Sequence, residues 1–415
     1  MPFLPRTFPN LSWKAGRCSA RSFGSHVSLP IGNFSYKWLR DSCPGSESIH
    51  PSTRQKLHRT TDAVKDAEPK SVSADKDGLR IEWQSGHKSF YPTEYLARYS
   101  TYGRLSAFHH DVPQQPWDLL RISATNQLFT PYESFRTDSG RLAAITQLER
   151  DGLAFIQDVP NAETSNGTCE LRRVAEAFGE IRHTFYGPLW DVKNIKNSRN
   201  IAYTNLDLGL HMDLLLVSFD SGCFCVLYSP ETRYFQHPPR YQLLHCLRNR
   251  VQGGSSIFVD ALNAATTLRT LYPSYFDILT TTPVSFHYIN DGHHLHYDHP
   301  TIQLGVFPDE SGVHPIEFVN YSPPFQAPLH VSTPPQFYDA LEKFVEILES
   351  PENRFEYLLK EGHVAVFDNR RVLHARTAFT SKNLEDDGDS DRWLKGCYIE
   401  ADAVSDRARV LRSRT

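Results

Sequence analysis

The segment His363-Val364-Ala365-Val366-Phe367-Asp368-Asn369-Arg370-Arg371-Val372-Leu373-His374-Ala375-Arg376 opens with an apolar, strand-like run and passes into a second short stretch that carries one histidine. Comparable runs precede it. Leu153-Ala154-Phe155-Ile156, Tyr241-Gln242-Leu243-Leu244-His245-Cys246 and Ser256-Ile257-Phe258-Val259 alternate with clusters of turn residues. Many short strands with few helices between them predict a barrel or a sandwich. The expected fold class is mainly β with flanking helices. Helices are expected over residues 141–151, 170–178 and 337–348. In the last of these, Phe337, Leu341, Phe344, Val345 and Leu348 recur at helical spacing. No internal repeat is visible.

Working outward, Val112-Pro113-Gln114-Gln115-Pro116 reads as a linker, because two prolines so close together disfavour both helix and central strand. It separates a large unit, residues 117–412, from a small one, residues 30–110. In the small unit Leu79-Arg80-Ile81-Glu82-Trp83 alternates apolar and charged residues, a strand signal, and Lys88-Ser89-Phe90-Tyr91 adds a second strand. Pro92-Thr93-Glu94-Tyr95-Leu96 reads as a helix start with Thr93 as its cap. Residues 1–26 differ from the rest. They hold Arg6, Lys14, Arg17 and Arg21, several serines and no acid, and the first carboxylate is Asp41. That composition fits a mitochondrial transit peptide cleaved near Arg21-Ser22-Phe23. The alternative is a disordered basic tail on a cytoplasmic protein.

The 415 residues include 40% hydrophobic and 22% charged side chains, enough for a packed core and against global disorder. The net charge of -4, with Lys and Arg dispersed, leaves no basic field for a nucleic-acid backbone. No apolar run approaches the roughly 20 residues that a membrane span needs. The 7 cysteines, an odd number in a long chain, suit a reducing compartment better than a disulfide scaffold. The acidic run Glu385-Asp386-Asp387-Gly388-Asp389 reads as a solvated loop.

Oxygenases that use non-haem iron(II) need two histidines and one carboxylate on one face of the metal, with open positions opposite. Residues two apart on a strand point the same way, so a His-x-Asp pair can deliver two ligands and a distant histidine the third. His211-Met212-Asp213 offers such a pair and His374 the third ligand. His296-Tyr297-Asp298 is a second pair, inside the His-rich stretch from His293 to His299, which reads as a polar surface loop.

Context chooses between the two pairs. Asn200-Ile201-Ala202-Tyr203-Thr204, His211-Met212-Asp213, Pro238-Pro239-Arg240-Tyr241-Gln242-Leu243-Leu244-His245-Cys246, Gly253-Gly254-Ser255-Ser256, Val259-Asp260 and the segment from Phe367 to Arg376 follow one another in an order that resembles the γ-butyrobetaine dioxygenase family and its trimethyllysine dioxygenase relatives. The resemblance covers roughly residues 35 to 410. It implies a double-stranded β-helix, or jelly-roll, of the TauD type behind a small β-rich domain. It also implies iron(II) on His211, Asp213 and His374, with 2-oxoglutarate as co-substrate and ascorbate as reductant. Arg392 is the implied anchor of 2-oxoglutarate, with Arg376 as the competing candidate and Asn200 as a second contact. A guanidinium fork suits a carboxylate, although any lone arginine can equally be a surface ion pair. Substrates of the family carry a trimethylammonium group, which donates no ordinary hydrogen bond and is best held by aromatic faces. Tyr186, Trp190, Tyr203 and Tyr398 stand at the family's aromatic positions, against the plainer reading of core aromatics, and Asn320 at a contact for the substrate carboxylate. The implied reaction couples decarboxylation of 2-oxoglutarate to hydroxylation by dioxygen. γ-Butyrobetaine, giving L-carnitine, is the leading small-molecule substrate. Trimethyllysine or another small amine or acid is the alternative, and a catalytically impaired metal-binding homologue is the reading of a different class. A homodimer is the expected assembly.

Two departures from the family pattern stand out. The family's small domain carries a Cys-x-Cys-x-x-Cys run and a later His for zinc. Here Cys43 and His87 match, but Gly45 and Ser48 replace the other two cysteines, and two ligands cannot close a tetrahedral site. We expect a remnant that holds no zinc, or holds it weakly. The second departure is residues 216–233, which intervene between Asp213 and the Pro238-Pro239 segment. They read as an insertion or a retained intron beside the iron ligands. Cys223 and Cys225 within them are weak evidence for a metal.

Overall fold

The computed structural model describes residues 21–194, 201–215, 238–290, 292–309, 311–381 and 391–414. The chain divides into two compact units, Met1–Asp111 and Val112–Thr415. Residues 1–20, the insertion at 216–233 with Cys223 and Cys225, the acidic run at 385–389 and Asn200 lie outside the described residues.

In the first unit, strands Pro69–Ala74, Gly78–Trp83 and Lys88–Pro92 form an antiparallel sheet. The alternation in the middle strand does what its pattern dictates. Leu79, Ile81 and Trp83 are buried with Tyr91 and Leu96, while Arg80 faces solvent. Trp83 donates its indole N–H to Ser89 Oγ at 2.8 Å, so the buried ring leaves no polar group unpaired. Thr93 is not a cap. The helix Thr93–Arg98 starts after Pro92 without a side-chain cap, and the Thr93 hydroxyl donates instead to the Lys76 carbonyl. The backbone of Arg21–Phe23 pairs with His26–Leu29, which in turn pairs with Gly32–Ser35. A paired strand therefore begins inside the stretch read as a leader.

The second unit is a jelly-roll of two facing sheets. The larger runs in the order Trp190–Lys193, Arg392–Ile399, Tyr241–Asn249, Val364–Asp368, Leu153–Gln157 and Phe129–Pro131, with Ile181–Arg182 added beside Arg392–Ile399. The smaller runs Leu208–His211, Val372–Arg376, Ser256–Asp260 and Arg354–Tyr357. Side chains alternate across the larger sheet. Leu243, Val364, Val366 and Cys397 pack on helices Asp138–Asp151 and Glu170–Phe178. Their neighbours Leu244, Ala365, Phe367 and Leu394 meet Phe155 and Phe258 between the sheets. Strands buried on both faces read as continuous apolar runs, which is why residues 363–367 look as they do. Each large side chain buried there contributes roughly 1.5–3 kcal/mol.

Helices are more numerous than the sequence pattern leads one to expect. Ala261–Leu271 and Pro335–Glu349 cover the outer face of the smaller sheet through Ala264, Leu268, Phe337 and Phe344. The first of these helices is capped by Asp260, whose Oδ1 accepts from Leu262 N at 3.1 Å. The same carboxylate, fully buried, pairs with Arg371 at 2.9 and 2.8 Å and accepts from Trp117 N at 2.9 Å. This network ties the start of the second unit to the strand that carries His374. The stretch from His293 to His299 is not a loop. It lies in strand His293–Pro300, paired with Pro283–Asn290. His296 and Asp298 sit 3.3 Å apart there on half-exposed side chains, and among the described residues they belong to no group of three potential ligands. Among the described residues no helix is long and apolar enough to cross a membrane, and Cys43, Cys169, Cys246 and Cys397 are buried free thiols.

Candidate metal centre and substrate recess

Strands Leu208–His211 and Val372–Arg376 are antiparallel neighbours whose register places His211 directly opposite His374. Their ring centroids lie 4.2 Å apart. Asp213 reaches them differently from the expected strand alternation. The strand ends at His211, and the chain turns through Met212, buried, and Leu214, which has φ +58°. Asn369 holds that turn. Its Oδ1 accepts from Asp213 N at 2.8 Å and its amide donates to the Asp213 carbonyl at 3.0 Å. One ligand atom each from His211, Asp213 and His374 lie within 4.8 Å of one another, among the described residues the one such group of three.

The electrostatics suit a cation. Burial opposes charge on Asp213, but the hydrogen bond with His211 and the adjacent imidazoles outweigh it and hold the carboxyl well below the usual range. Burial, and then His211, push His374 down to about 3, so its ring is neutral at physiological pH. His211 Nδ1 lies 2.9 Å from the Gly209 carbonyl, which can only accept. Nδ1 therefore carries a proton, and Nε2 is the ring nitrogen turned toward Asp213, the orientation in which a second group fixes a metal-binding histidine. Two imidazole nitrogens and one carboxylate match the donor set of a non-haem iron(II) site.

The cavity beside these residues is lined by the aromatic rings of Tyr186, Trp190, Tyr203 and Tyr398 and by Arg376 and Arg392. Trp190 and Tyr398 pack at 4.4 Å between ring centroids, and Tyr186 lies 6.1 Å from Trp190. Trp190 lies flat on the backbone of Gly396, its register partner, where a Cβ would come within 2.7 Å of the indole. The two arginines differ. Arg376 donates to the carbonyls of Ala202, Thr204 and Leu206 at 3.0, 2.8 and 2.6 Å, so its terminal nitrogens are engaged by the segment that carries Tyr203. Arg392 heads the strand that ends near Tyr398. Burial, then the charge of Arg376, lower it to about 10, and it stays protonated. Its Nε runs 3.3 Å from where a Cβ on Gly254 would sit, and Gly254 has φ +75°. Gly253 likewise has φ +85° and would clash with the Ala378 carbonyl as any other residue. The Gly-Gly pair in the sequence thus reflects backbone packed closely against Ala378 and Arg392.

Asn320 does not line the cavity. It is buried, its amide donates to the Pro300 carbonyl at 2.8 Å and its Oδ1 accepts from Arg370 at 2.9 Å. In the first unit, Cys43 and His87 do meet, with His87 Nε2 3.4 Å from Cys43 Sγ. The other ring nitrogen faces Glu47 at 3.0 Å, so Glu47 and Cys43 lie on opposite edges of the ring and cannot share one ion. Sequence reasoning missed Gln242 and Asn369. Both lie inside motifs quoted above, but only the fold shows that they grip Asp213.

Residues 122–398 match the taurine catabolism dioxygenase TauD, TfdA family, and residues 28–97 match the gamma-butyrobetaine hydroxylase-like N-terminal family. The chain belongs to the TauD, TfdA family and is a dioxygenase of the iron- and 2-oxoglutarate-dependent type. Among curated relatives it is 47% identical to dioxygenase str8 of Strobilurus tenacellus, over 95% of this chain and 89% of that one. It is 32% identical to gamma-butyrobetaine dioxygenase of Pseudomonas sp. (strain AK-1), over 98% of each chain. It is 28% identical to the mitochondrial trimethyllysine dioxygenase of Gallus gallus, over 95% of this chain and 88% of that one.

Proposed function

We propose that this dioxygenase hydroxylates a small molecule bearing a trimethylammonium group, with γ-butyrobetaine, giving L-carnitine, as the leading substrate and trimethyllysine as the alternative. The observation that carries this reading is the convergence of Tyr186, Trp190, Tyr203 and Tyr398 on the cavity that also holds His211, Asp213 and His374. Aromatic faces stabilise a desolvated quaternary ammonium by roughly 2 kcal/mol or more. Iron would be held by His211, Asp213 and His374, and would supply, with 2-oxoglutarate and dioxygen, the oxidation of an unactivated C–H bond. Arg392 would anchor the distal carboxylate of 2-oxoglutarate. The aromatic walls orient the substrate carbon and exclude water from the metal face. The basic, acid-free composition of residues 1–26 and the mitochondrial trimethyllysine dioxygenase relatives support a mitochondrial address.

Asn320 favours a second reading. Its amide is engaged by Arg370 and Pro300 rather than turned to the cavity, which supports a small substrate with no carboxylate at that point and an apolar group among the aromatic rings. A panel decides. Succinate is measured with γ-butyrobetaine, with trimethyllysine and with neutral isosteres in which carbon replaces the quaternary nitrogen. Turnover with either cation well above its isostere supports the first reading. Turnover of an isostere equal to or above its cation contradicts it and supports the second.

A further inference from the structure

We infer that Tyr398 is a positioning residue for the metal, holding the Asp213 carboxylate through its hydroxyl while its ring forms the wall of the substrate recess. Tyr398 donates to Asp213 Oδ2 at 2.8 Å. Gln242 donates from Nε2 to the same oxygen, also at 2.8 Å. Oδ1 is the oxygen that faces His211 Nε2, at 3.5 Å. The two carboxylate oxygens are thus sorted. Oδ2 is held by two donors on adjacent strands of the larger sheet, where Gln242 and Tyr398 are register partners. Oδ1 is left toward the imidazole nitrogens, where a single oxygen from Asp213 completes the two-histidine, one-carboxylate face.

The second half of the inference follows from the ring. Tyr398 packs on Trp190 at 4.4 Å, and Trp190 rests on Gly396 without room to retreat. The ring that forms the wall and the hydroxyl that holds Asp213 thus belong to one side chain, and the two roles can be separated by substitution. Gln242 Oε1 is buried with no hydrogen-bond partner among the described residues. Such orphans are uncommon in folded proteins, and this one accompanies the amide's orientation toward Asp213. Groups that orient a metal ligand in this way typically change metal affinity or activity about ten- to a hundred-fold when removed.

The inference rests on the reading of His211, Asp213 and His374 as the metal site, and its test separates the two. Cobalt(II) affinity and the cobalt visible spectrum are measured on the full chain for wild type, Tyr398→Phe, Gln242→Leu and Trp190→Phe, with the melting temperature of each. The expected result is cobalt affinity weakened about tenfold or more in Tyr398→Phe and in Gln242→Leu, with an altered spectrum. Trp190→Phe, which changes the wall but not the hydroxyl, should keep wild-type affinity. Unchanged affinity and spectrum in Tyr398→Phe would overturn the inference. So would an equal loss in Trp190→Phe, since wall packing rather than the hydroxyl would then be responsible. Failure of the wild type to bind cobalt would instead overturn the metal-site reading itself.

Discussion

Both units bring metal-type donors together, and among the described residues only the second gathers three of them. In the second unit, two imidazoles and one carboxylate converge within 4.8 Å; Gln242, Tyr398 and Asn369 hold Asp213, and the Gly209 carbonyl holds His211. In the first unit, Cys43 and His87 touch each other at 3.4 Å, and the place of a third ligand is a glycine. A Cβ on Gly45 would lie 3.6 Å from Cys43 Sγ, so a side chain at that position would stand beside the thiol. Donor count among the described residues separates the two.

The largest expected effect breaks the comparison at the donors. His374→Ala should abolish tight cobalt or iron binding by the full chain, whereas Cys43→Ala with His87→Ala should leave it within about twofold. Equilibrium dialysis with metal analysis measures both. Next is the choice between the arginines. Arg392→Met should raise the KM for 2-oxoglutarate at least about tenfold, because a buried carboxylate loses its charged, forked donor. Arg376→Lys should leave that KM near wild type and instead loosen the segment carrying Tyr203. A higher KM for 2-oxoglutarate in Arg376→Lys than in Arg392→Met would reverse the assignment.

Much of this arrangement was legible in the sequence. The runs at 153–156, 241–246, 256–259 and 363–367 are strands because they are buried on both faces, and continuous apolar runs announce that. His211, Asp213 and His374 were readable because chemistry restricts which residue types can serve. What could not be read depends on long-range contact. Asp213 is delivered by a turn that Asn369 secures from 156 positions away. Asn320 has the right identity but faces Arg370, and side-chain direction has no sequence signature there. The helix Ala261–Leu271 was missed because its alanines show no strong apolar stripe.

A smaller effect sharpens the account of the recess. Gly396→Ala should push Trp190 into the cavity and raise the KM for a trimethylammonium substrate severalfold, leaving the KM for 2-oxoglutarate unchanged. Steady-state kinetics in both substrates reads this directly. Acid stability gives a check remote from the metal. Burial lowers His245 to about 4, against 6.5 for the free side chain. Below 6.5 the unfolded chain binds a proton that the folded chain refuses, so stability is lost as pH falls from 6.5 toward 4, by up to about 3 kcal/mol. In His245→Leu, urea unfolding between those pH values should show a shallower acid loss than wild type. The smallest effect on activity, and the most pointed for the comparison, is reconstruction of the first unit. Gly45→Cys with Ser48→Cys should add one tightly bound zinc per chain, measured by metal analysis, and leave turnover near wild type.

The most direct measurement is succinate formation by the purified protein with iron(II), ascorbate, 2-oxoglutarate and γ-butyrobetaine, beside a His211→Ala control and a version lacking residues 216–233. Substrate-dependent succinate from the wild type or from the shortened version, abolished by His211→Ala in the same background, is the expected result. Turnover that survives His211→Ala would contradict the metal assignment, and silence of both backgrounds toward γ-butyrobetaine and trimethyllysine would contradict the trimethylammonium reading.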